Sequence, residues 1–154
     1  MKEIKFIIGP QFGNKYKSYR KIYTISSNGA CEVKLEPQKR FNDMEDTVLR
    51  IEFEADTEKI EALFSKIENI PIVNFEAAEK DKPILADSPR TITYINDGTS
   101  FSFTCVNSDN GLFSFLRSLI EEILPEGINA KLQILTYKFE ARVDEHFEDL
   151  RPKN

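Results

Sequence analysis

Three short stretches of the chain carry residues whose types and spacing could do chemistry. The only histidine, His146, stands among Asp144, Glu145, Glu148 and Asp149. An imidazole beside carboxylates is raw material for a general base or a metal ligand. No second histidine and no positioned nucleophile accompanies it, and the same residues fit the polar edge of an amphipathic helix, which is the reading adopted. The second stretch, Lys15-Tyr16-Lys17-Ser18-Tyr19-Arg20-Lys21, interleaves base and aromatic. That pattern suits a surface that tracks phosphates and stacks bases. The third feature is a pair of acidic patches, FNDMED at 41–46 and DEHFED at 144–149. Each sets an apolar side chain among carboxylates, Phe41 and Met44 in the first and Phe147 in the second. An apolar anchor ringed by negative charge suits a basic protein partner, with charge steering the encounter and the anchor holding it.

The charge distribution decides between these readings. No acidic residue occurs from Ile4 to Cys31, so that part carries +5, and the rest of a chain of net charge −5 carries −10. Four bases in seven residues make a small footprint for nucleic acid on an acidic protein. Lysines on a strand also serve to discourage edge pairing. Lys15, Lys17, Tyr19, Arg20 and Lys21 therefore form the alternative, nucleic-acid-binding set. The leading set, for a protein partner, is Asp43, Glu45, Asp46, Asp144, Glu145 and Asp149. GxSxG, HExxH, a Walker loop, GxGxxG and zinc-ligand spacing are all absent from the sequence. We expect no catalysis, no cofactor and no metal.

These residues need elements to position them. A chain of 154 residues with 40% apolar content is expected to form one α+β domain over residues 1–154, large enough to bury a core. No run approaches the roughly 18 apolar residues of a membrane span. The opening MKEIKFII is too short an apolar run for a signal peptide and alternates like a first strand, so a cytoplasmic location is expected. Cys31 and Cys105 are expected to be buried free thiols, a bridge between them staying open as the other possibility.

The chain is organised around residues 90–124, which read as strand, tight turn, strand, helix. With Asp97-Gly98 at the tip of a two-residue hairpin, Asn96 faces Thr99, Tyr94 faces Phe101 and Ile92 faces Phe103. Ile92, Tyr94, Phe101, Phe103 and Cys105 then share one face, which the following helix covers. Asn28-Gly29 signals a second hairpin, in which the same turn type pairs Ile22 with Leu35 and Thr24 with Val33. Tyr23–Lys34 and Ile25–Glu32 would then lie on a half-wet opposite face. Leu49, Ile51 and Phe53 alternate as a further strand, and Asp56 or Thr57 caps a helix near 57–69. IVNF at 72–75 reads as a short strand and the proline-bearing 76–89 as a long loop. A second helix spans 111–124, with Asp109 or Asn110 as its cap. Residues 130–150 alternate like a strand but also carry a helical stripe through Leu132, Leu135, Phe139 and Val143. The helix is favoured because it accounts for Phe147 and Leu150 as well. The whole is a largely antiparallel sheet built from β-hairpins, with two or three helices packed on one face.

A small, acidic, hairpin-rich α+β chain without a catalytic signature resembles bacterial immunity proteins, which neutralise a cognate toxin of contact-dependent or other polymorphic systems. The resemblance lies in architecture and charge across the chain and carries over no individual residue. It implies a tight complex with a toxin domain whose active site the protein occludes.

Overall fold

A computed structural model describes residues 1–10, 15–37, 49–69, 90–105 and 111–149. Six strands form one antiparallel sheet: β1 (Lys2–Ile8), β2 (Tyr19–Ser26), β3 (Ala30–Pro37), β4 (Leu49–Glu54), β5 (Arg90–Asn96) and β6 (Thr99–Cys105). Their order is β4-β3-β2-β1-β5-β6. The first strand thus lies inside the sheet, between the two hairpins. Among the described residues three helices pack on the sheet: α1 (Thr57–Glu68), α2 (Gly111–Ile123) and α3 (Ile128–Asp149). A single 3₁₀ turn, Lys15–Lys17, leads into β2. The architecture is α+β, as the order of hairpins and amphipathic stretches predicts, and the ambiguous stretch from 130 is helical as far as Asp149, its last described residue.

The central hairpin has the anticipated register, with Asn96 opposite Thr99, Tyr94 opposite Phe101 and Ile92 opposite Phe103. Asp97 and Gly98 both take positive φ, at 44° and 90°, as a two-residue type I′ loop requires. The other hairpin departs from expectation by one residue. Ile25 pairs with Cys31, Tyr23 with Val33 and Ile22 with Lys34. Of its loop residues only Gly29 has positive φ, 91°, and its N–H donates to the Ser26 carbonyl at 3.0 Å. The loop is therefore the three-residue form, a turn closed by one left-handed glycine. One added loop residue shifts the pairing, and the period of two then exchanges the faces.

That exchange turns β2 over, bringing Tyr19, Tyr23 and Ile25 under the helices beside Cys31, Val33 and Leu35, which keep the expected face. Two clusters result. In one, Ile60, Leu63, Phe64 and Ile67 of α1 and Leu116, Leu119, Ile120 and Ile123 of α2 close over Ile4, Phe6, Ile25, Cys31 and Ile92. In the other, Ile128, Leu132, Leu135, Phe139 and Val143 of α3 close over Val33 and Leu35, with Tyr16, Tyr19, Leu49 and Ile51 at the margin. Asp56 caps α1, its carboxylate accepting from the Glu58 N–H at 2.9 Å. Ile22 is left on the opposite face, opposite Ile7 of β1, and is still only 4% exposed. Cys31 is a buried free thiol. Four strand spacings, about 19 Å, separate β3 from β6, so no bridge to Cys105 can form within the chain. The expected strand at 72–75, the loop at 76–89 and the caps at 109–110 lie outside the described residues.

Candidate protein-binding surface

The basic and aromatic segment does not present itself as one surface. Tyr16 donates its hydroxyl to Asp144 Oδ1 at 2.7 Å, and that bond raises its pKa above the ordinary phenol value. Tyr19 lies edge-on against Phe139, with ring centroids 4.9 Å apart. Burial pushes its phenol up, although a hydrogen bond with Thr136 acts the other way. Both rings serve the packing of α3 and are not laid open as stacking platforms. The bases divide between the faces. Arg20 points to the helix-free face and is held by Glu36, with Nε to Oε1 at 3.1 Å. Lys21 lies on the helix face, and Lys15 and Lys17 are exposed on the 3₁₀ turn, Lys15 over the Tyr16 ring.

The acidic set is placed only in part. Asp144 and Glu145 are exposed on α3, and Asp149 is its last residue. Asp43, Glu45 and Asp46 lie outside the described residues. The side chains of His146 and Phe147 are likewise outside them. Asp144 is therefore fixed by Tyr16, whereas Glu145 stands in solvent on the last turns.

What sequence reasoning passed over is the outer side of the same helix. α3 spends Ile128, Leu132, Leu135, Phe139 and Val143 on the core. At 100° per residue, Ala130, Ile134, Tyr137 and Ala141 then fall on the far side. Ile134 is 55% exposed and Tyr137 59%, and the Gln133 amide donates to the Tyr137 hydroxyl at 3.0 Å. At spacing i and i+3 the two are surface neighbours and form one apolar ridge. The signal was in the sequence, because a helix whose apolar residues exceed one stripe must leave some of them in water. Strand-like alternation of Tyr137, Phe139 and Ala141 concealed it.

Past the ridge, Asp144 and Glu145 are exposed near the C-terminal end of α3. A helix C-terminus already carries about half a negative charge, so these carboxylates oppose the macrodipole and deepen the negative potential there. They do nothing for helix stability. Among the described residues no group of three or more His, Cys, Asp or Glu side chains could hold a metal ion. Among them, too, no helix is long and apolar enough to cross a membrane. No protein-family model matches this chain, and no curated protein matches it significantly.

Proposed function

We propose that the chain is a non-enzymatic protein-binding module that seats a basic partner against the outer face of α3, in the manner of an immunity protein occluding a toxin's active site. The observation that carries this reading is the exposed pair Ile134 and Tyr137, one turn apart on the far side of a helix whose other side is fully used by the core. An amphipathic tyrosine beside an aliphatic side chain is what interface hot spots are made of, and the acidic helix end supplies steering. Size sets a condition on the complex. A 22-residue helix is about 33 Å long, and a ridge about 10 Å wide offers roughly 330 Å². A stable interface needs about 800 Å² per partner, so neighbouring elements must join it.

Co-expression with toxin domains encoded at adjacent loci tests the proposal. The expected result is protection of the cell and a co-purifying complex. Tyr137→Ala should weaken that complex by about 30-fold, the equivalent of roughly 2 kcal/mol. Glu145→Lys should slow association and flatten its salt dependence. Protection that survives Ile134→Asp and Tyr137→Asp undiminished would rule out this surface. A chain that protects against none of the toxins and binds none of them would rule out the function.

A further inference from the structure

A cleft of about 670 Å³ opens between the end of α2 and the start of α3, with β2 as its floor. Lys21 and Tyr23 form that floor, Arg117 and Glu121 one wall, and Gln133, Thr136 and Tyr137 the other. Leu124, Pro125, Ile128 and Leu132 give the cleft an apolar inner end. Its volume is in the range of small-molecule sites, and its lining is mostly polar, with the apolar residues confined to that inner end.

The charge on the floor has no counterion among the described residues. Lys21 is half-buried on the helix face and forms no ion pair within 4.0 Å among the described residues. Its ammonium lies 5.9 Å from the Tyr23 ring, a weak substitute for a carboxylate. Burial lowers its pKa, and the like charges of Arg117 and Lys17 lower it further. Arg117 itself is engaged, its Nε donating to Glu121 Oε1 at 3.1 Å, while Glu126 lies farther along the same rim. A desolvated cation without a partner costs stability unless something of opposite charge arrives. The one-residue change of register places it there, because in the anticipated pairing Lys21 would have faced solvent on the open side.

We infer that this cleft binds a small molecule carrying a carboxylate or phosphate, its anionic group paired with Lys21 and its apolar part against Leu124, Ile128 and Leu132. Arg117 stands close enough to share the anion if it exchanges Glu121 for the ligand. The site is separate from the outer ridge of α3, although Tyr137 borders both, so the inference does not depend on the proposed protein partner.

Three probes test it on the full chain: inorganic phosphate, succinate and phenyl phosphate. The first two distinguish phosphate from carboxylate recognition, and the third reports on the apolar end. The expected result is saturable binding of at least one probe, raising Tm by roughly 5 °C or more at a hundredfold excess over Kd. Lys21→Met should weaken that binding at least about tenfold, whereas Lys131→Ala, exposed on α3 away from the cleft, should leave it unchanged. Lysine dimethylation with carbon-13 gives a second readout that needs no stability comparison. The Lys21 signal, assigned by its loss in Lys21→Arg, should titrate at higher pH when the probe is bound. The inference is overturned if none of the probes shifts Tm or that resonance, or if Lys21→Met binds as tightly as the wild type.

Discussion

Replacing Phe139 by alanine tests whether α3 is docked as described. Phe139 is 1% exposed, sits over Val33 and Leu35, and meets the edge of Tyr19 at 4.9 Å. A buried phenylalanine withdraws roughly 150–250 Å² from water, about 4–6 kcal/mol at 25 cal/mol per Å² before the alanine's own burial is subtracted. Measured large-to-small changes of this kind cost about 3–5 kcal/mol. For a chain of this length that lowers Tm by roughly 6–20 °C. Urea titration followed by circular dichroism is the assay, because the chain has no tryptophan. A double-mutant cycle with Tyr19→Leu isolates the ring–ring contact and should return a coupling of about 0.5–1.5 kcal/mol. If Phe139→Ala costs less than about 1 kcal/mol, α3 is not seated on β3 and β4. The outer ridge and the cleft would then both be misplaced. A coupling near zero with a large single-mutant cost would leave the docking intact and refute only the ring pair.

The glycine of the displaced hairpin provides a second test. Gly29 has φ of 91°, and a Cβ there would approach the Ala55 carbonyl oxygen at 3.2 Å, so Gly29→Ala should cost more than about 1–2 kcal/mol. Gly98 has the same kind of φ but open space around it, so Gly98→Ala should cost only about that conformational amount. Equal losses in urea midpoint would show that the contact with Ala55 does not matter. A third test follows Glu68, which accepts hydrogen bonds from the Lys2 ammonium and, at 2.7 Å, from the Tyr94 hydroxyl. These bonds hold its carboxyl below the usual range. A lowered acid pKa contributes stability above its unfolded value and loses it as pH falls through the folded one. Wild type should therefore exceed Glu68→Gln in urea midpoint near pH 7, and the gap should close as pH falls below the ordinary carboxylate range. A gap that stays constant over that range would mean the charge on Glu68 contributes nothing.

How much could be read in advance depended on how local the determining physics was. The β5–β6 register followed from two residues, because Asp97-Gly98 fulfils both positive-φ requirements of its turn. Asn28-Gly29 looks equivalent, but Asn28 does not take positive φ, and its Oδ1 instead accepts from the Ala30 N–H at 3.0 Å. That local bond favours the longer loop, and a single residue of slip turned Ile25 inward and Ile22 outward. α1 was legible from its cap and its stripe. α3 was ambiguous because its apolar residues serve two sides, the core side and the ridge. The contact of Tyr16 with Asp144 and the cleft over Lys21 depend on elements distant in sequence being brought together. No window of twenty residues contains that information.

The interior position of β1 has a consequence for how the chain is made. Its neighbour on one side, β2, follows within a dozen or so residues, but its neighbour on the other, β5, comes about 80 residues later. At 5–20 residues per second a ribosome needs roughly 4–16 s to deliver it. For about the last 20 residues of that interval, roughly 1–4 s at the same rate, a nascent β1–β4 sheet with α1 attached would present KEIKFII as a bare, pairing-competent border. Protein quality control should therefore meet this chain most often as a half-built sheet, and a synonymous-codon slowdown between β4 and β5 should cost yield where the same delay after β6 would not.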